Sequence, residues 1–241
     1  MPHLHRFYVP ADTPGAGEVA LPPEEARHAL KVLRLRVGDR VALLDGQGRE
    51  LVGAVARMDR RDVVVAVEEE RRAPRPAPAV TLAQAWLHQD KAVELLVRIG
   101  TELGVDRFLF FRADRSERAP RVNPKWDRIG VEACKQCGRL WLPEFVVAPS
   151  LAEVLRDASG DLIVAAIEGP PVPLARALSG AEVTLLIGPE GDFTPEEIRA
   201  ALERGARPIS LGTTTFRAET AAIVAATLVQ HHLGRLGPLH L

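Results

Sequence analysis

From Val80 onward the apolar residues fall in short unbroken runs, separated by stretches with helical period. Val80 to Trp86, Val105 to Phe111, Glu144 to Val147, Asp161 to Ile167, Val183 to Ile187 and Pro208 to Leu211 are of strand length and bounded by turn residues. Such runs predict strands covered on both faces. Asp90 to Leu103 instead repeats Val93, Leu96, Val97 and Gly100 at helical spacing and stops at Gly104. Further helices are predicted from Pro124, over Ser150 to Ala158, after Thr194 and after Arg217. Strand, helix, strand at this spacing implies right-handed crossovers and a parallel sheet, the α/β class.

The first 72 residues have a different pattern. Arg6 to Val9, Arg40 to Leu44, Glu50 to Met58 and Asp62 to Glu69 read as strands, and Asp45-Gly-Gln-Gly48 is a hairpin signal. Pro22 to Arg36 reads as one helix with Ala26, Leu30 and Leu33 inward. A compact β-barrel over residues 1–72 is predicted. A Pro-rich linker at about 71–79 then leads into a second domain, 73–241.

Two segments of the second domain match each other. Val183 to Ile187 runs into Gly188-Pro-Glu-Gly-Asp-Phe193, and Pro208 to Leu211 runs into Gly212-Thr-Thr-Thr-Phe216. Each is a buried strand, a glycine-entered turn and a helix start. In the first, Thr194, Pro195 and Glu197 have the spacing of a capping box. Adjacent turns of this kind lie at the carboxyl edge of a parallel sheet, where open α/β folds bind ligands.

Composition narrows the chemistry. With 46% hydrophobic and 26% charged residues the chain is an ordinary globular protein. No apolar run approaches the ~20 residues of a membrane span, and the N-terminus lacks a signal pattern, so no membrane association and a cytoplasmic location are expected. Cys134 and Cys137 lie in a helical stretch without a second pair, which predicts structural thiols. The formal net charge is -1, so contact with nucleic acid must come from local patches. Arg112 to Arg139 is one, with eight basic residues against four acidic. Arg27, Lys31 and Arg34 form another along the N-terminal helix, either a solvated face or a phosphate-binding stripe.

No lysine follows Lys135, which excludes a phosphate loop at Gly188 to Gly191 and a Schiff-base lysine in that half. There is no dinucleotide fingerprint, no G-x-S-x-G elbow and no metal-binding motif, so no metal is expected. What remains is a site of main-chain groups with few formal charges.

Leu185-Leu-Ile-Gly-Pro-Glu-Gly191 and Leu211-Gly212, with Arg217-x-Glu219-Thr220-Ala221, resemble SPOUT-superfamily methyltransferases. Within that superfamily they resemble the ribosomal RNA small subunit methyltransferase E family, which makes N3-methyluridine in 16S rRNA. His28 to Arg34, Lys91 to Glu94, Gly100 to Val105, and Gln136 to Arg139 with Pro143 are similar to further motifs of that family, so the likeness spans most of the chain. It implies a PUA-like N-terminal barrel, a C-terminal trefoil knot, a homodimer and S-adenosylmethionine as cofactor. It places Ile167, Glu168, Gly169, Ile187, Gly188, Pro189, Gly191, Leu211, Gly212, Thr213, Thr214, Phe216, Arg217 and Thr220 at the cofactor. Arg27, His28, Lys31, Arg34, Arg115, Arg118 and Arg139 would meet 16S rRNA or the small ribosomal subunit.

On this reading Arg217 stabilises the anion formed when uridine N3 loses its proton. Glu219 is either the base or the group that orients Arg217. Thr213 to Phe216 replace the Pro-Arg-Ile-Leu usual in the family, Ala218 a Thr, Asp192 a common Gly and Lys135 a common Glu. The same residues are compatible with methyl transfer to another RNA atom, or with an RNA-binding assembly factor that has no catalytic activity.

Overall fold

The structure is a computed structural model describing residues 4–77, 79–165, 171–180 and 182–236. It divides into two compact units, residues 1–75 with 131–142, and residues 76–130 with 143–241.

The first unit holds a five-stranded sheet in the order β1-β3-β4-β5-β2, with β1 His5–Tyr8, β2 Gly17–Ala20, β3 Arg40–Leu44, β4 Arg49–Met58 and β5 Val63–Arg72. β1 and β3 are parallel and the other pairs antiparallel. Inward residues alternate along the strands, so Phe7, Val41, Leu43, Leu51, Val55, Val63 and Val65 meet in one core. Gly53 sits at a register shift between β4 and β5, where a Cβ would stand 2.0 Å from the Ala66 carbonyl oxygen. β2 was not legible in the sequence, being a four-residue edge strand with one buried side chain, Val19.

The single helix expected over Pro22 to Arg36 is shorter and irregular. α1, Pro23–His28, passes into a π turn at Ala29–Leu33, and Arg34 closes it in the left-handed region at φ 54°. The spacing of Arg27, Lys31 and Arg34 therefore does not form a regular α-helical stripe, although all three are exposed.

Residues 131–142 belong to the first unit although the expected boundary left them in the second. Gly48 N donates to Leu140 O and Leu142 N to Gly46 O, while Trp141 Nε1 donates to Ala73 O at 3.1 Å. Lys135 Nζ, buried, reaches Glu25 at 2.8 Å and Glu132 at 3.0 Å. No sequence pattern announces such a return, because these contacts reach residues 68 to 110 positions away. Arg71 and Arg72 end β5 and are not linker.

The second unit is a six-stranded parallel sheet in the order β11-β9-β10-β6-β7-β8. Its strands are β6 Val80–Ala85, β7 Arg107–Phe111, β8 Glu144–Ala148, β9 Asp161–Ala165, β10 Val183–Ile187 and β11 Arg207–Ile209. Both faces are covered. Leu82, Ile163 and Leu185 join one core with α2 (Asp90–Glu102) and α7 (Ala218–His232), and their neighbours Ala83, Val164 and Leu186 join the other with α4 (Leu151–Asp157) and α6 (Pro195–Glu203). That is why these strands read as unbroken apolar runs. Two further helices, α3 (Lys125–Cys137) and α5 (Leu174–Ala177), complete the described elements. α2 lies close to the sheet at Gly100, where a Cβ would be 2.7 Å from the Phe108 ring. Trp86, Phe108, Phe110, Trp126 and Phe145 form an aromatic cluster against it.

Candidate functional site

The carboxyl ends of β9, β10 and β11 open on a cavity of about 590 Å³, within the size range of small-molecule sites. Ala165 ends β9 at its wall. Ile187 ends β10, Gly188, Pro189, Glu190 and Asp192 come from the turn after it, and Ser210 to Arg217 from the segment after β11. Gln89 and Ala92 at the start of α2, and Ala218, Glu219 and Ala221 at the start of α7, close it.

The first turn is held from several sides. Gln84, paired across the sheet with Ile187 and fully buried, donates from Nε2 to Gly188 O and Ala85 O, each at 2.9 Å. The Glu190 carboxylate accepts from His88 N at 2.9 Å, and Arg115 Nη1 donates to Gly191 O at 2.8 Å. Asp192 turns the chain at φ 60° and accepts from Phe193 N at 2.7 Å. A glycine is common at such a position because the left-handed region penalises a Cβ.

The helix after this turn begins as its sequence predicts. Thr194 Oγ1 accepts from Glu197 N at 3.2 Å and Glu197 Oε2 accepts from Thr194 N at 2.9 Å. The other Glu197 oxygen accepts from Asp114 N at 2.9 Å, so one buried carboxylate ties the helix start to the segment after β7.

The second turn is looser. Gly212 adopts φ 127° and its N–H meets Ser210 Oγ at 3.2 Å, while Thr213 to Arg217 are exposed. The cavity thus has a fixed floor and an exposed strap.

Its charge is distinctive. Glu190, Asp192 and Glu219 line it, with Arg217 the only basic residue among the described lining. A polyphosphate would be repelled, whereas a ligand with a cationic centre and several hydrogen-bonding groups suits the lining. Arg217 caps α7 through its main chain, Ala221 N donating to Arg217 O at 2.8 Å. Among the described residues its guanidinium forms no ion pair, and neither does Glu219. The expected Arg217 to Glu219 contact is therefore not formed, since residues two apart at a helix start do not face each other.

Of the residues expected at a cofactor, Ile187, Gly188, Pro189, Leu211, Gly212, Thr213, Thr214, Phe216 and Arg217 line the cavity. Gly191 and Thr220 do not. Ile167, Glu168 and Gly169 lie outside the described residues. Sequence reasoning placed Glu190 within the loop from Ile187 to Gly191 but missed Gln84, Gln89, Ala92, Ala165, Asp192 and Ser210. Gln84 carried a usable signal, a single amide in an otherwise apolar or hydroxylated run.

The residues expected at RNA fall in both units. His28 packs edge-on to Phe7, with centroids 6.3 Å apart. Arg115 is occupied in clamping the turn after β10. Arg118 lies over the Trp86 ring and bonds to His88 O and Asp90. Arg139, in the first unit, is half-buried. Both thiols are free, and burial pushes that of Cys134 up to about 12. No group of residues that could hold a metal ion occurs among the described residues, and no described helix is long and apolar enough to cross a membrane.

Residues 74–230 match the RNA methyltransferase domain and residues 21–68 the RNA methyltransferase PUA domain. The chain is 32% identical to ribosomal RNA small subunit methyltransferase E of Mycobacterium bovis, over 91% of this chain and 88% of that one. A crystal structure of a probable rRNA methyltransferase from Porphyromonas gingivalis superposes with a TM-score of 0.83 at 33% identity, covering 95% of this chain and 98% of the other. A ribosomal RNA small subunit methyltransferase E from Neisseria gonorrhoeae, bound to S-adenosyl methionine, gives 0.81 at 27% identity over the same shares.

Proposed function

Since the chain belongs to the RNA methyltransferase family, and within it to that of ribosomal RNA small subunit methyltransferase E, we propose that the cavity at the ends of β9, β10 and β11 is where it binds S-adenosylmethionine and methylates N3 of a uridine in 16S rRNA. The observation that carries this is the acid-lined cavity with Arg217 and Glu219 unpaired at its edge.

The residues fit such a ligand. The tied-down turn at Gly188 to Asp192 supplies main-chain groups for an adenosyl moiety, and the three carboxylates suit a sulfonium and an amino group. Bound there, S-adenosylmethionine would supply an electrophilic methyl group.

The remaining work falls to the protein. Uridine N3 is nucleophilic only after losing its proton, and the charge then spreads to the flanking carbonyl oxygens. Arg217, at the positive end of α7, stabilises that charge by its guanidinium and by the helix dipole. Glu219, with no competing partner, takes the N3 proton or holds Arg217 once the base arrives. Methyl transfer itself then depends on alignment.

The reading includes a trefoil knot, a closed PUA-like barrel and a homodimer. Support for the knot is that β11 lies outside β9 while α7 returns to pack on β10, β6 and α2. Support for the dimer is α7, which buries Ala222, Ala225 and Val229 inside the unit yet leaves Leu228 39% exposed on another side. Calorimetry with S-adenosylmethionine, followed by nucleoside mass spectrometry of small subunits from a strain lacking the gene after treatment with the enzyme, tests the function. N3-methyluridine is expected. A methyl group on another atom would correct the target, and no cofactor binding would return the chain to an RNA-binding assembly factor.

A further inference from the structure

A second cavity, of about 410 Å³, lies on the same unit and is lined by Trp86, Asp90, Arg118, Arg121, Val122 and Asn123, among others. It shares the β6 to α2 connection with the first cavity, since Trp86 and Asp90 face one and Gln89 and Ala92 the other. The aromatic cluster accounts for the Trp86 ring but not for the rest of this lining.

We propose that this cavity is a subsite for one nucleotide of the RNA strand beside the target base, which rests on the reading of the chain as an RNA methyltransferase. Its groups are nearly all donors. Trp86 is only 7% exposed and its indole N–H finds no acceptor among the described residues. A buried donor is costly to leave unmatched. Asn123 spends its Oδ1 on Lys125 N at 3.0 Å, which leaves its amino group to donate. Arg121 is exposed and makes no ion pair among the described residues. Such a wall matches the carbonyl oxygens of a nucleobase and the oxygens of a phosphate.

Arg118 adds a platform. Its guanidinium carbon stands 5.8 Å from the Trp86 ring centroid, and its nitrogen is anchored on His88 O at 2.8 Å and on Asp90. A guanidinium anchored over an indole in this way offers a cationic surface against which a base can stack. Two arginines against one aspartate leave the lining net positive, opposite in sign to the first cavity. The two cavities thus divide the ligands, with the cationic donor in one and the anionic strand in the other.

The test uses the full-length protein and a fluorescein-labelled twelve-residue oligouridylate, read by anisotropy across a salt series, with S-adenosylmethionine titrated in parallel. Arg121→Ala is expected to weaken oligouridylate binding about tenfold and to reduce the slope of log Kd against log salt by about 0.7, the value of one phosphate contact on a single strand. Asn123→Asp keeps the acceptor that holds Lys125 and removes the donor, so it is expected to weaken binding about tenfold. Trp86→Phe, which keeps an aromatic ring but no N–H, is expected to weaken it severalfold, with circular dichroism confirming the fold. The affinity for S-adenosylmethionine is expected to be unchanged in Arg121→Ala. The proposal is overturned if Arg121→Ala and Asn123→Asp bind oligouridylate as wild type does, or if wild type does not bind it. A protein that binds RNA in this variant-sensitive way but transfers no methyl group keeps the subsite and loses the enzyme reading.

Discussion

The turn after β10 can be tested by adding one methyl group at Gly188. An alanine Cβ there would stand 2.9 Å from Asp192 Oδ1 and 3.2 Å from both Asp192 Cα and Phe193 N. Two of these atoms are main chain, and Asp192 is already in the left-handed region, so no rotamer change relieves the clash. The turn has to open by a few tenths of an ångström. Overpacking of this kind costs about 1–3 kcal/mol. If the ligand needs the turn closed, that cost is drawn from binding, and at 1.4 kcal/mol per tenfold the Kd for S-adenosylmethionine rises about 5- to 150-fold. Gly100→Ala is the control. Its Cβ would meet the Phe108 ring at 2.7 Å in the same unit but away from the cavity lining. Both variants are expected to melt about 2–4 °C lower for each kcal/mol lost. Only Gly188→Ala is expected to lose cofactor affinity by calorimetry. A Gly188→Ala protein that melts lower yet binds S-adenosylmethionine within twofold of wild type refutes the idea that this turn clasps the ligand.

Arg217→Ala is expected to lower kcat about 100- to 1,000-fold with S-adenosylmethionine affinity changed severalfold at most, as for removal of one group that stabilises a developing anion; single-turnover methyl transfer measures it. Asp192→Gly is expected to melt close to wild type, because relief of left-handed strain offsets the lost bond to Phe193 N, whereas Asp192→Ala keeps the strain, loses the bond and is expected to be about 1–2 kcal/mol less stable by denaturant unfolding. The Cys134 thiol, held up to about 12 by burial against an ordinary 9.0, favours the neutral form in the folded protein. Its stabilising effect is therefore complete below pH 9 and is lost as pH rises toward 12, by up to about 1.4 kcal/mol per pH unit. Urea unfolding from pH 8 to 10.5 checks this, and Cys134→Ser is expected to flatten that part of the curve.

Much of the second unit was legible because its signals are local. A parallel strand buried on both faces declares itself by composition, as at Val183–Ile187, and the capping box at Thr194 needs only four consecutive residues. The two glycine turns were found for the same reason, and most of their residues do line one cavity. Gln84, Arg115 and Gln89 were not found in their present places. Gln84 and Arg115 act on partners far along the chain, Gly188 O and Gly191 O, and neither period nor spacing encodes such a meeting.

The sequence by itself therefore determined most of the strands and helices, the two glycine-entered turns and the family resemblance, since each depends on residues within a few positions of one another. Only the tertiary structure decided that residues 131–142 join the first unit and that Arg115 clamps a turn. It alone brought Trp86, Arg118, Arg121 and Asn123 around a second cavity. Those outcomes come from packing between segments distant in the chain, where the identity of a residue does not reveal its partner.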